Sequence, residues 1–146
     1  MSTSNRVTFQ VILPLLIGSV IYILFRSDRL IMFSWFNYLG LANAFNWCRE
    51  MTFGQFSLPS WVIFSLPDAL WVFSFTSLML IIWHDNFSKS SIFWLLLAPL
   101  IGLFSEVGQI IKFVPGTFDQ TDLCLILIAS ILPFLQILKK NKPEQT

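Results

Sequence analysis

The chain has 146 residues, a formal net charge of +1, 55% hydrophobic and 12% charged residues, and a mean hydropathy of +0.73. That is too apolar for a soluble domain of this size to cover with polar surface, so the expected class is an all-α integral membrane protein forming one helical domain over residues 1–146. Lys139, Lys140 and Lys142 form the densest basic run, too small to point to nucleic acid, and Cys48 and Cys124 do not stand at a metal-ligand spacing.

In chain order, Arg6 precedes an apolar run over 7–25, long enough to cross a hydrocarbon core of about 30 Å. The following Arg26 to Arg29 offers no small-residue cleavage site, so this run reads as an uncleaved signal anchor and first span. Residues 30–47 are apolar and aromatic but carry Ser34, Asn37, Gly40, Asn43 and Asn46 at every third position. On a helix turning about 100° per residue such a stripe drifts around the cylinder. The expectation is an interfacial or re-entrant segment, with Trp35, Tyr38 and Trp47 at headgroup depth, and the alternative is a fifth span. Arg49 to Pro59 reads as polar and turn-like, and Trp61 to Phe64 as an interfacial lead-in.

The second span is expected over 65–83. Ser65 would be its N-cap, Pro67 lies in the first turn and Asp68 at the third position, and His84, Asp85 and Asn86 close it. The third, over 92–111, contains Pro99 as an expected kink, Gly102 and Gly108 as close-contact positions, and Glu106; Lys112 ends it. A turn over 114–117 leads to Asp119 as the N-cap of a fourth span over 120–138, with Asp122 at its third position.

Four antiparallel spans place Arg6, Lys89, Lys139, Lys140 and Lys142 on one side, and Arg26, Arg29, Arg49 and Lys112 on the other. The bias of five against four favours both termini in the cytoplasm of a bacterial inner membrane. The same parity brings Asp68, Glu106 and Asp122 to one membrane face, whichever side that is.

Gly102, Ser105, Glu106 and Gln109 share a stripe of the third helix. A carboxylate within an apolar helix is costly unless it is paired, protonated or facing a polar cavity, which makes Glu106 the centre of a polar cluster with Asp68, Gln109, Asp119 and Asp122. Capping explains Asp68, Asp119 and Asp122 without further function, but not Glu106. The acids lack a recognisable metal-ligand pattern, so a shared proton is expected rather than a metal, and no cofactor is indicated. His84, the only histidine, falls at the far end of the second span from Glu106, which opposes a nucleophilic relay and a catalytic assignment.

Asp68 at one helix start, Glu106 with Gln109 near the next helix end, and the run Gly116, Thr117, Phe118, Asp119, Gln120, Thr121, Asp122 together resemble the VanZ-like family of small bacterial membrane proteins over residues 65–127. Ala69, Leu70 and Trp71 stand where that family carries Lys and His after its Asp, and Thr117 stands where it carries Arg. The resemblance implies an accessory role in the cell envelope, including antibiotic tolerance. The acidic cluster would then recognise a lipid headgroup, a lipid-linked ligand or a partner helix. The alternative is a membrane subunit of a larger complex, such as a defence effector, transporter subunit or immunity protein, with the stripe of the third helix as a homo- or hetero-oligomer interface. An intramembrane acid–base enzyme rests on the acids alone.

Overall fold

The computed structural model describes residues 2–26, 31–52, 58–114 and 118–140, with the side chains of residues 31, 32 and 136–140 excepted. Among the described residues every regular element is a helix. Arg29, the turn at 115–117 and the tail from residue 141 lie outside them, as do the side chains of Lys139 and Lys140.

Helix α1 (Thr3–Phe25) starts four residues before the expected boundary because Ser2 caps it, its hydroxyl accepting from the Asn5 N–H at 3.3 Å. Its second turn is a π-helix over Val7–Ile12, and the α geometry resumes at Leu13 with Pro14. Proline has no N–H and its ring collides with the carbonyl four residues earlier; a wider turn relieves that collision.

The 30–47 segment is two helices, α2 (Ile31–Tyr38) and α3 (Ala42–Thr52), turning at Gly40, where φ is +72°. At 1.5 Å per residue they are about 12 and 16 Å long, too short to cross a membrane singly. Helix continues to Thr52, so the residues from Arg49 to Thr52, expected to be turn-like, are helical. The pair is tied to the end of α1 by Arg49, which donates to the carbonyls of Ile23 and Arg26 at 3.0 and 2.8 Å. Those carbonyls end a helix and have no partner within it, and a guanidinium satisfies them while complementing the negative end of the dipole. Phe36 stacks on Phe45 across the turn, with ring centroids 4.3 Å apart.

A short helix α4 (Ser60–Phe64) leads into α5 (Leu66–Ile82). Ser65 stands at the expected N-cap position, but its side chain does not cap the helix. It is itself right-handed helical, completely buried, and makes no capping bond, because the chain enters α5 from α4 rather than from an extended segment. Pro67 and Asp68 do occupy the first turn. Helix α6 (Lys89–Ile110) begins three residues before the expected Ile92, since Ser88 and Ser91 form a reciprocal capping box at 2.7 and 3.1 Å. It runs through Pro99 without interruption. Helix α7 (Gln120–Lys140) starts as expected: the Asp119 carboxylate accepts from the Thr121 N–H at 2.8 Å.

Helix α5 is the hub, packed against α1, α6 and α7, whereas α1 and α6 flank it without extensive mutual contact. Half of its buried positions are small: Ala69, Ser74, Thr76 and Ser77. Small side chains let backbones approach, which matters most where apolar burial does not discriminate between helix and surroundings. Ala69 and Val72 meet Ile126 and Ala129 of α7, Leu80 meets Leu95 of α6, and Gly102 lies against Ile126.

Both α5 and α6 end in Schellman turns. After α5, the N–H groups of Asp85 and His84 return to the carbonyls of Leu80 and Ile81; after α6, those of Phe113 and Lys112 return to Gly108 and Gln109. His84 and Lys112 adopt the left-handed conformation these turns require, with φ of +52° and +57°. Because an L-residue is strained there, Lys112→Gly is expected to stabilise the bundle by about 0.5–1 kcal/mol, read as a higher unfolding temperature in detergent. Glycine lowering that temperature would show that the lysine side chain contributes more than its backbone strain costs.

Candidate functional site

Three helix ends meet where the acids lie. Asp68 starts α5, Glu106 sits one turn before the end of α6, and Asp119 and Asp122 start α7. Glu106 is buried, with 4% of its surface exposed. The backbone N–H of Asp119 lies within hydrogen-bonding reach of the Glu106 carboxylate, which places this acid at the N-terminus of α7, where unpaired N–H groups and the helix dipole favour negative charge. Asp68, Asp119 and Asp122 all lie within Coulombic range of Glu106, and Asp122 also acts on Asp68.

The expected members divide by role. The Asp119 side chain is exposed and occupied as a cap, so it is a structural member of the cluster. Asp122 is half-buried with Oδ1 lacking a partner, and Gln109 is half-buried with Oε1 lacking one. Glu106 Oε2 is likewise buried and without a hydrogen-bond donor. Of the stripe on α6, Gly102, Ser105 and Glu106 face a cleft, whereas Gln109 lies beyond its end.

That cleft, about 580 Å³ in volume, lies between α1, α5 and α6, and Ile126 of α7 reaches its floor. Val11 and Leu15 form one wall, Trp71, Val72, Phe75 and Leu78 the back, and Leu97, Ala98, Ile101 and Gly102 the other wall. Asp68, Ser105 and Glu106 close one end. From Asp68 to Leu78 along α5 the cleft runs about 15 Å. Its volume is that of a ligand site, with mostly apolar walls and a few polar groups at one end. The gap exists because α1 and α6 are each held by α5 and not by each other.

Arg26 is the residue whose place at the site sequence reasoning missed. Its Nη2 donates to the Phe64 carbonyl at 2.8 Å and to Asp68 Oδ2 at a longer 3.4 Å, and its guanidinium lies over the rings of Tyr22 and Phe64 at 5.0 and 5.3 Å. The usable signal was parity: a cation ending one span and an acid starting the next antiparallel one share an end. Trp71 also went unnoticed. It packs on Tyr22 with centroids 5.2 Å apart, and its indole Nε1 edge lies against Gly18.

Chemically the site can accept hydrogen bonds and hold positive charge. His84 is exposed at the opposite end of α5, about 24 Å along the helix from Asp68, so it cannot relay a proton here. Among the described residues, no group of three or more His, Cys, Asp or Glu side chains is placed to hold a metal ion. Two helices, Thr3–Phe25 and Lys89–Ile110, are long and apolar enough to cross a membrane, and Leu66–Ile82 and Gln120–Leu135 are shorter apolar helices. Comparison with protein-family models, with curated proteins and with solved structures returned no match to this chain.

Proposed function

We propose that this chain is a four-span membrane protein of the bacterial cell envelope, with α1, α5, α6 and α7 crossing the bilayer, both termini cytoplasmic, and α2 and α3 at the interface. The supporting feature is the outward surface of the bundle. Phe9, Leu16 and Val20 on α1, Phe93, Phe104 and Ile110 on α6, and Ile128, Ile131 and Leu135 on α7 are all exposed. Apolar cover of that extent is a liability in water and ordinary in hydrocarbon. Helix α3 pairs strong amphipathicity with exposed Trp47 and Met51, which suits a helix lying in the headgroup layer.

The function this geometry favours is recognition of a membrane amphiphile, its polar head at Asp68 and Glu106 and its chain along the cleft between α1 and α6. The single observation carrying it is the buried Glu106 Oε2, without a donor, at the end of an otherwise apolar cleft. The accessory envelope role, including antibiotic tolerance, is the contribution of the VanZ-like resemblance over 65–127. Filling the cleft tests the reading. Ala98→Trp places an indole between its walls and is expected to remove amphiphile retained by the purified protein, as seen by native mass spectrometry, without lowering expression. Unchanged retention in a folded Ala98→Trp protein would remove the cleft from the account.

A further inference from the structure

We infer that the cleft selects an amphiphile whose head is a hydrogen-bond-donating cation, a primary ammonium on an apolar chain. This rests on the cleft-binding reading above and specifies its ligand.

The first observation is charge. Among the described residues lining the cleft, the ionisable groups are Asp68 and Glu106, both acids, with Asp122 behind them in Coulombic range of each. Arg26 reaches Asp68, but it is turned toward the Phe64 carbonyl and the two aromatic rings and is not part of the cleft lining. A sulfate or phosphate head entering this end therefore meets like charge with no opposing cation on the wall among the described residues, and like-charge placement disfavours the wrong ligand strongly.

The second observation is hydrogen-bond type. Glu106 Oε2, at the end of the cleft, is a buried carboxylate acceptor without a partner, and Asp122 Oδ1 and Gln109 Oε1 behind it are unpartnered as well; the unpartnered donors nearby are the Trp71 indole N–H, which lies against Gly18 of α1, and Arg26 Nε. Glu106 is itself more than nine-tenths buried and faces the cleft. A buried acceptor without a donor is costly, and an ammonium supplies three donors and a positive charge together. A quaternary ammonium matches the charge but brings no donor, so a primary amine is preferred to it. The cleft also has room for the chain: its apolar stretch begins at the carboxylates and continues along Phe75, Leu78 and Leu97.

Trp71 on the cleft wall provides a readout. The full chain in phosphatidylcholine nanodiscs would be titrated with three chain-brominated probes of equal length: a primary alkylamine, the alcohol and the alkyl sulfate. Binding is the fluorescence quenching lost on Trp71→Phe. The amine is expected to quench at a concentration about tenfold or more below the alcohol, and the sulfate weakest. Glu106→Gln should raise the amine concentration about tenfold and the alcohol concentration by less, because the carboxylate accepts from both heads but attracts only the amine as an ion pair. Asp68→Asn provides a second variant with the same expected direction should Glu106→Gln fold poorly. Equal quenching by amine and alcohol, or a folded variant with unchanged amine binding, overturns the ammonium inference and leaves the cleft reading in place. Absence of Trp71-dependent quenching by all three probes overturns both.

Discussion

Replacing Asp85 by Asn is expected to destabilise the bundle by about 2–3 kcal/mol. Asp85 receives two parallel hydrogen bonds from the Arg6 guanidinium, at 2.8 and 2.9 Å, and the two side chains are only 15% and 16% exposed. The pair joins the start of α1 to the turn after α5, residues 79 apart in sequence. Exposed ion pairs are worth about 0–1 kcal/mol and breaking a buried one costs about 3–5, so this bidentate, mostly covered pair falls between. Asparagine is the appropriate replacement because Asp85 has a φ of +59°, which Asn tolerates. Alanine would add backbone strain to the lost charge. A double-mutant cycle with Arg6→Gln, measured by unfolding in mixed detergent, should yield a coupling of about 1–2 kcal/mol. Additive single changes would mean that the pair does not hold α1 in place.

Gly18→Leu is expected to cost about 3 kcal/mol and to abolish amphiphile retention. A Cβ at position 18 would lie 3.1 Å from Trp71 Nε1 and 3.2 Å from the Pro67 carbonyl oxygen. The second neighbour is backbone at the start of α5 and cannot rotate away, so α1 must shift outward, and overpacking of this kind costs about 1–3 kcal/mol. Val11 and Leu15 move with α1, and they form one wall of the cleft. Gly18→Ala should produce a smaller loss in both readouts, since contacts near 3.1–3.2 Å need only a few tenths of an ångström of relief. Native mass spectrometry and thermal unfolding of the two variants check this together. A leucine variant that retains its amphiphile would show that the α1 wall is dispensable.

These two positions illustrate what could and could not be read before the fold was in view. Glu106 was conspicuous because its cost is local: a carboxylate in an apolar helix demands an explanation wherever the helix goes. Asp119 was recognised as a cap for the same reason, since capping depends on a few neighbouring residues. The pattern of serine, proline and acid marked the N-cap position at Ser65, but not whether its hydroxyl would cap: the preceding helix leaves that side chain buried and without a capping bond. The 30–47 segment was expected to be an interfacial or re-entrant stretch, and its division into two helices depends on Gly40 and on Arg49 reaching back to the end of α1. Gly18, one small residue in an apolar run, carried no local signal at all.

From composition and pattern alone follow the helical class, the apolar character, and the shared end of Asp68, Glu106 and Asp122, because hydropathy, caps and antiparallel parity act over short distances or simply alternate. Tertiary packing decided the rest: that Glu106 meets the backbone of Asp119 at the start of α7, that Arg26 reaches Asp68 from the neighbouring helix, and that α1 and α6 part around α5 to leave a cleft. Those outcomes depend on side-chain volumes at contacts far apart in the chain, such as Gly18 on Trp71 and Gly102 on Ile126, and no local pattern encodes which small residue will meet which large one.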